Sequence, residues 1–389
     1  MLLFGADRIA EFQRYFAGRV ALLTGPSGRT RDNRSTIDVL KNFCDLQLLL
    51  APEHGVRGDK AAGALFNDEI DEESGLTVRS LYTKESKRLS PENLSRFDTL
   101  VYDIADVGCR YYTFISTLRY CIEDCASAGK RLVVLDRPNP LGDWVEGGLR
   151  QEDCSSFVGC YSLPVCYGLT CGELAVMMNE ELGSGCDLKI VPCAGLTRDM
   201  TFRHWDHYWV MPSLGIPRYE TALLYPGTCL IEGTNLSEGR GTADPFVMID
   251  APFIRAEEFC RAFNDLGCPG VVATPVYFTP NTSKHRGTLC GGIHLHVVEE
   301  YLLRPVELGV KLLDLLRQMY PQDFQLLPPY RDGGKRPLSL LAGHREFENP
   351  DWDAEAILSR YAAESEAFRL RKAPYEIYPR EDSISDISK

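Results

Sequence analysis

The chain has 389 residues, 42 of them basic and 55 acidic, for a formal net charge of −13. That balance argues against nucleic acid and anionic membrane as partners, since both are held through clustered Lys and Arg. The length exceeds the usual single domain and predicts two, each able to bury its own core.

In chain order, the opening "MLLFGADRIAEFQRYF" lacks a basic segment followed by a long apolar one, and a charge arrives at Asp7. No apolar run reaches the roughly 18–20 residues that span a bilayer, so the expectation is a cytoplasmic protein without a signal peptide. "RVALLTGPSG" predicts a strand and turn, "STIDVLKNF" a short helix, "LQLLLAPEHG" a second strand and "LTVRSLY" a third. "FDTLVYDIADVG" is a fourth strand, leading into the helix "YTFISTLRYCIEDCASAG" with Gly129 at its C-terminal cap. "RLVVLDRPNPLG" is a fifth strand, followed by the helix "TCGELAVMMNEEL" and the strand "DLKIVPC". Buried strands alternating with helices imply a parallel sheet covered on both faces.

From about Pro245 the texture changes. "FVMIDAPFI", "VVATPVYFTP" and "GGIHLHVVE" predict strands among the helices "AEEFCRAFNDL", "VELGVKLLDLLRQMY" and "AEAILSRYAAESEAFRLRK". The fold class is therefore α/β: a Rossmann-like parallel-sheet domain over residues 1–235, a smaller α/β domain over 236–380, and a polar tail, 381–389, expected to fray. Fourteen cysteines lie scattered from Cys44 to Cys290 with no CxxC. Free thiols in a reducing compartment are expected.

Ligands of an open parallel sheet bind beyond the carboxyl ends of its strands. Those ends carry "TGPSGRTRDN", "APEHGVRGD", "DIADVGCRYYT" and "DRPNPLG", four polar clusters along one rim. Glu53 is the sharpest candidate. A carboxyl group at the mouth of an apolar strand is partly desolvated, which raises its pKa toward the range of a general acid; the bland alternative is a cap of the next turn. His54 is a candidate to hold that carboxylate or a substrate hydroxyl, and Arg57 to bind an anionic group. Asp103 and Asp106 admit two readings, a cation site or, for Asp106, the cap of the following helix. Arg110, Tyr111 and Tyr112 follow; the tyrosines suit either stacking on a sugar ring or packing.

"YPGTCLIEGTNLSEGRGT", residues 225–242, sets Glu232, Asn235, Glu238 and Arg240 among four glycines, a composition suited to close backbone approach to a ligand. "TGPSGRT" lacks the ending of a P-loop, and no GxGxxG follows the first strand, so neither a nucleoside triphosphate nor a dinucleotide cofactor is expected. His294 and His296 share a strand face near Cys290, where zinc is conceivable but ordinary strand histidines are the better reading. No cofactor and no metal is assigned.

Seven stretches in this order resemble one family: "APEHGVRGD", "DTLVYDIADVGCRYYTFISTL", "DRPNPLGDWVEG", "YGLTCGELA", "WVMPSLGIP", "YPGTCLIEGTNLSEGRGTADPF" and "FTPNTSKHRGTLCGG". The family is the NamZ-type exo-β-N-acetylmuramidases, glycoside hydrolase family 171, and the resemblance runs from about Val20 to Tyr378. It implies a Rossmann-like domain and a smaller α/β domain with the active cleft between them. It also implies hydrolytic release of N-acetylmuramic acid (MurNAc) from the non-reducing ends of peptidoglycan fragments, in muropeptide recycling.

Glu53 carries over as catalytic, with the loop of Glu232 and Glu238 facing it and no firm choice of second carboxylate. His54, Arg57, Asp103, Asp106, Arg110, Tyr111, Tyr112, Asn235 and Arg240 are then the substrate-binding candidates. Arg57, Arg110 and Arg240 compete for the lactyl carboxylate of the sugar. One departure is Gly215, where the family pattern leads one to expect Asn. The competing readings are a muropeptide-binding protein without turnover and a metal-dependent sugar esterase or deacetylase.

Overall fold

The structure, a computed structural model, describes residues 1–60, 68–83 and 86–381. Seven strands form the central sheet: β1 (Arg19–Thr24), β2 (Asp45–Ala51), β3 (Glu69–Ile70), β4 (Thr77–Ser80), β5 (Thr99–Asp103), β6 (Arg131–Leu135) and, after a two-stranded antiparallel pair of β7 (Val145–Glu146) with β8 (Cys166–Tyr167), β9 (Asp187–Val191). Their order is β3-β4-β2-β1-β5-β6-β9. All neighbours are parallel except β3, which runs antiparallel at the edge. The chain steps outward from β1 to β2 and β4, then returns to β5 and steps the other way. The reversal between β1 and β5 is a topological switch point.

Side-chain alternation sorts each strand between two cores. Ala21, Leu23, Leu48, Leu50, Leu100 and Tyr102 face α3 (Phe114–Ser127) and α4 (Cys171–Glu181). Val20, Leu22, Leu49, Val101 and Val133 face the opening 3₁₀ segment Gly5–Tyr15 and α1 (Thr36–Lys41). Gly129 closes α3 with φ +62°, as its place in the sequence predicts. Thr170 and Glu173 cap α4 reciprocally, Thr170 Oγ1 accepting from Glu173 N at 3.2 Å and Glu173 Oε2 from Thr170 N at 3.0 Å.

The short α2 (Pro91–Ser95) precedes β5, and α5 (Tyr219–Thr228) leads into the second domain. That domain carries a three-stranded antiparallel sheet, β10 (Met248–Ala251), β12 (Cys290–Val297) and β11 (Val271–Phe278) in that order, with α6 (Ala256–Asp265), α7 (Pro305–Met319) and α8 (Pro337–Ala342). Helices α5 and α7 cross at two glycines. A Cβ on Gly227 would stand 1.9 Å from the carbonyl oxygen of Pro305, and one on Gly309 2.6 Å from Gly227 Cα, so only glycine permits the approach.

The last helix, α9 (Ala354–Lys372), returns to the first domain. Ser365 Oγ donates to Gly147 O at 3.1 Å, Leu149 N to Glu364 Oε2 at 2.7 Å and Arg369 Nη2 to Val145 O at 2.8 Å. Beyond it Tyr378 donates its hydroxyl to Asp136 at the tip of β6 and accepts from Cys193 N. All fourteen cysteines are free. No helix among the described residues is long and apolar enough to cross a membrane. Apart from residue 381, the tail expected to fray lies outside the described residues.

Candidate active site

Glu53 leaves the carboxyl end of β2 through Pro52 into a tight turn in which His54 adopts φ +75° and Gly55 φ +79°. A left-handed histidine is uncommon, and such positions gather at functional sites. Two hydroxyls converge on one oxygen of Glu53: Thr113 Oγ1 donates to Oε2 at 2.7 Å and the Tyr82 hydroxyl at 3.0 Å. Thr113 stands where α3 begins, and Tyr82 just past β4. Burial and the neighbouring Glu53 push the Tyr82 phenol well above its ordinary range, so it remains a donor. Lys87 lies over the rings of Phe157, at 3.8 Å from its centroid, and Tyr82, at 4.5 Å, on the Glu53 side.

Across from Glu53, the 3₁₀ turn Cys229–Gly233 prolongs α5 and presents Glu232. Arg240 places Nε and Nη2 on Glu232 Oε1, each at 2.8 Å, and Nε stands 3.4 Å from Glu238 Oε1. Lys284 closes the series at 3.1 Å from Glu238 Oε2. Acid and base alternate through Glu232, Arg240, Glu238 and Lys284. Burial raises the Glu232 pKa, Arg240 opposes the rise, and Glu238 adds to it; the net direction is up. Its two carboxylates raise the Arg240 pKa.

The recess between Glu53 and Glu232 holds about 690 Å³ of non-protein space, part of it open to solvent, within the range of small-ligand pockets. Rings dominate its floor. Tyr225 meets Phe246 edge-on at 4.7 Å, Tyr112 meets Phe114 at 5.0 Å and Tyr111 meets Tyr225 at 5.5 Å. Aromatic faces beside paired acids suit a pyranose, with rings against its apolar face and carboxylates for its oxygens. Ser213, Gly215 and Ile216 form one wall. A Cβ on Gly215 would stand 3.3 Å from Arg240 Nη1, so the absent side chain leaves that edge of the guanidinium uncovered by residue 215.

The structure thus gathers Glu53, His54, Tyr111, Tyr112, Glu232 and Arg240 around one recess. Glu238 stands behind Arg240, with its side chain 2% exposed. The other candidates do not line this recess, each for a physical reason. Arg110 is fully buried and donates to four carbonyls, those of Gly148 (2.7 Å), Leu163 (2.6 Å), Leu341 (2.7 Å) and Ala342 (2.8 Å). Arg57 forks onto Asp71, 2.8 Å from Nε to Oδ1 and 2.7 Å from Nη2 to Oδ2, and holds that carboxyl down at about 2.

Asp103 is sealed in a two-point pair with Arg137, at 2.6 and 3.0 Å. Asp106 accepts from Gly108 N at 2.7 Å and from the Tyr167 hydroxyl; burial raises its pKa to about 6. Asn235 ties the second domain together, donating to Asp323 O at 2.8 Å and accepting from Gln325 N at 3.0 Å. Thr113, Tyr82, Lys87 and Lys284 went unmarked in the sequence. Thr113 alone had a signal, a hydroxyl at a helix start on the rim.

The rings of His294 and His296 lie 4.5 Å apart, tilted by 46°, the first 3.6 Å from Asp244 Oδ2 and the second hydrogen-bonded to Thr274. Among the described residues no three His, Cys, Asp or Glu side chains gather as metal ligands. A second recess lies beyond β1 and β5, lined by Phe4, Arg29, Asp106, Arg137, Trp205 and Trp209 among others. The segment 209–216 divides it from the first, since Pro212 faces one and Ser213 the other.

Comparison with known proteins accounts for nearly the whole chain. The N-terminal family model of the exo-β-N-acetylmuramidase NamZ matches residues 20–220 and the C-terminal model residues 223–378. The peptidoglycan β-N-acetylmuramidase NamZ of Bacillus subtilis (strain 168) is 38% identical over 378 residues, 95% of this chain and 89% of that protein. Two crystal structures of DUF1343 family proteins from Bacteroides fragilis share the fold. One has a TM-score of 0.88 at 31% identity, covering 97% of this chain and 99% of its own; the other has 0.74 at 28%, covering 98% and 100%.

Proposed function

This chain belongs to the NamZ exo-β-N-acetylmuramidase family, and from that premise we propose which residues of the cleft carry the reaction. The protein is a glycoside hydrolase acting on peptidoglycan-derived glycan. In our reading Glu53 is the general acid, giving a proton to the glycosidic oxygen as it leaves. Glu232 is the anionic partner, placed to stabilise positive charge developing at the anomeric carbon or to steer the group that attacks it.

What supports this division is the difference between the two carboxyl groups. Two neutral hydroxyls, those of Thr113 and Tyr82, reach one oxygen of Glu53, and such donors suit either protonation state, whereas Arg240 donates to Glu232 through Nε at 2.8 Å with Nη2 at the same distance. At Glu232 the guanidinium works for the ionised form, against the burial that raises its pKa. Arg240 is the one arginine of the three candidates that lines the recess, and the Nη1 edge beside Gly215 is our choice for the lactyl carboxylate of MurNAc.

The substrates we assign are MurNAc-ended peptidoglycan fragments. The test is release of free MurNAc from MurNAc–β-1,4–GlcNAc by the wild type and by Glu53→Gln. The expected fall in kcat is roughly 10²- to 10⁴-fold, the usual worth of a positioned acid. A folded Glu53→Gln protein of undiminished rate would remove Glu53 from the chemistry.

A further inference from the structure

We propose that Lys284 is a positioning residue for Glu232, its ammonium tying the turn that carries Glu232 to the Glu238 carboxylate and so keeping Arg240 committed to Glu232. The inference rests on the role given to Glu232 above.

Four acceptors surround Lys284 Nζ: the carbonyl oxygens of Ile231 (3.2 Å), Glu232 (3.2 Å) and Leu236 (2.8 Å), and Glu238 Oε2 (3.1 Å). An ammonium has three protons, so this one is fully engaged by protein. Lys284 does not line the recess. Its effect must pass through the atoms it holds, which include the backbone of Glu232 itself.

The loop that delivers Lys284 is built at a conformational cost. Ser283 (φ +65°) and His285 (φ +56°), on either side of it, both occupy the left-handed region without being glycine. Strain of this kind persists where surrounding structure over-determines it. Here three contacts do so. Asn281 N donates to Gly241 O at 2.9 Å, and His285 Nε2 bonds Asn235 O at 2.8 Å. Gly241, at φ +83°, lets Thr282 approach so closely that a Cβ would stand 2.5 Å from its carbonyl oxygen. The strained loop is thus pressed along the whole segment from Asn235 to Gly241, with the ammonium at its centre.

Charge explains why a lysine is needed. Arg240 lies between two carboxylates, 2.8 Å from Glu232 and 3.4 Å from Glu238. With Lys284 on Glu238, the guanidinium is left to Glu232. Without it, Glu238 competes for Arg240, and the ionised form of Glu232 loses support. The other groups facing this cluster are Cys229, whose Sγ is 3.7 Å from Glu232 Oε2, Tyr112, Tyr225, Tyr330, and the buried Asp250 behind Glu238. None of them supplies a positive charge.

The experiment is the pH dependence of kcat/KM on MurNAc–GlcNAc for the wild type, Lys284→Met, Lys284→Arg, Glu238→Gln and Glu232→Gln. Lys284→Met should move the acidic limb upward by roughly one pH unit, the usual effect of losing a nearby opposite charge; Lys284→Arg should leave it in place. Glu238→Gln should move it downward, and the double variant Lys284→Met, Glu238→Gln should bring it back toward the wild type. A limb unmoved in Lys284→Met despite lost activity would reduce Lys284 to a scaffold role and overturn the proposal. Should Lys284→Met not fold, an unmoved limb in Glu238→Gln overturns it equally. Retained activity in Glu232→Gln would instead strike the reading of Glu232 itself, a separate failure.

Discussion

Replacing Arg110 by Met tests whether this arginine, marked by the sequence as a substrate ligand, is a structural rivet. Its guanidinium donates to four buried carbonyls, two from the first domain (Gly148 and Leu163) and two from α8 of the second (Leu341 and Ala342). Methionine fills much of the same volume and donates to none of them. An orphaned buried acceptor costs about 1–3 kcal/mol. Four at about 1–1.5 kcal/mol each, toward the low end because water re-pairs some of them, give about 4–6 kcal/mol.

Unfolding entropy of about 2.1 cal/mol/K per residue over 389 residues amounts to about 0.8 kcal/mol/K, so Tm should fall by about 5–8 °C. Thermal unfolding followed by circular dichroism reads the effect, and KM is measured on muramyl and glucosaminyl disaccharides alongside it. The reasoning is refuted if Tm stays within about 2 °C of the wild type while KM rises for the muramyl substrate alone, because that pattern requires Arg110 to touch the lactyl group.

On an aryl muramide with a good leaving group, Glu53→Gln should lose far less rate than on the natural disaccharide, since a phenolate departs without a proton; equal losses on both would assign Glu53 another role. Arg240→Met should reduce the preference for muramyl over glucosaminyl substrates by roughly 10- to 100-fold, from the worth of a charged hydrogen bond. An unchanged ratio of kcat/KM values would exclude a contact with the lactyl carboxylate. Asp250 is buried with its pKa raised from 3.8 to about 7, so it holds a proton in the folded state that the unfolded chain has lost. Stability from that proton is complete below about pH 4 and disappears as pH climbs through 7. Asp250→Asn should therefore gain in Tm over the wild type between pH 5 and pH 8, and a constant difference across that range would contradict the assignment.

The sheet strands could be read from the sequence because a strand buried on both faces needs a run such as Leu48–Ala51 or Leu132–Leu135, whatever surrounds it. The rim could be read because polar residues must follow such runs. Helix α5 escaped, since Pro226 lies inside it, where local rules end a helix. At the site, Glu53 announced itself through its place after an apolar strand. The partners did not. Arg110 has the same local setting as a ligand, and only Leu341 and Ala342, more than 230 residues away, remove it from the cleft. Asp103 likewise looks available until the parallel neighbour β6 delivers Arg137. Position along the chain gives proximity to a rim; which side chains are already spoken for depends on pairings that cross the whole fold.

The return of α9 and Tyr378 to the first domain has a consequence for taking the protein apart. Gly147, Leu149 and Val145 complete their hydrogen bonds on α9, and Asp136 completes its own on Tyr378. A polypeptide ending near residue 220 would expose all four as raw edges, and one starting there would carry a helix with nothing to grip. Produced as two separate chains, the halves should seek each other, giving a split enzyme whose glycan cleavage reports their reunion.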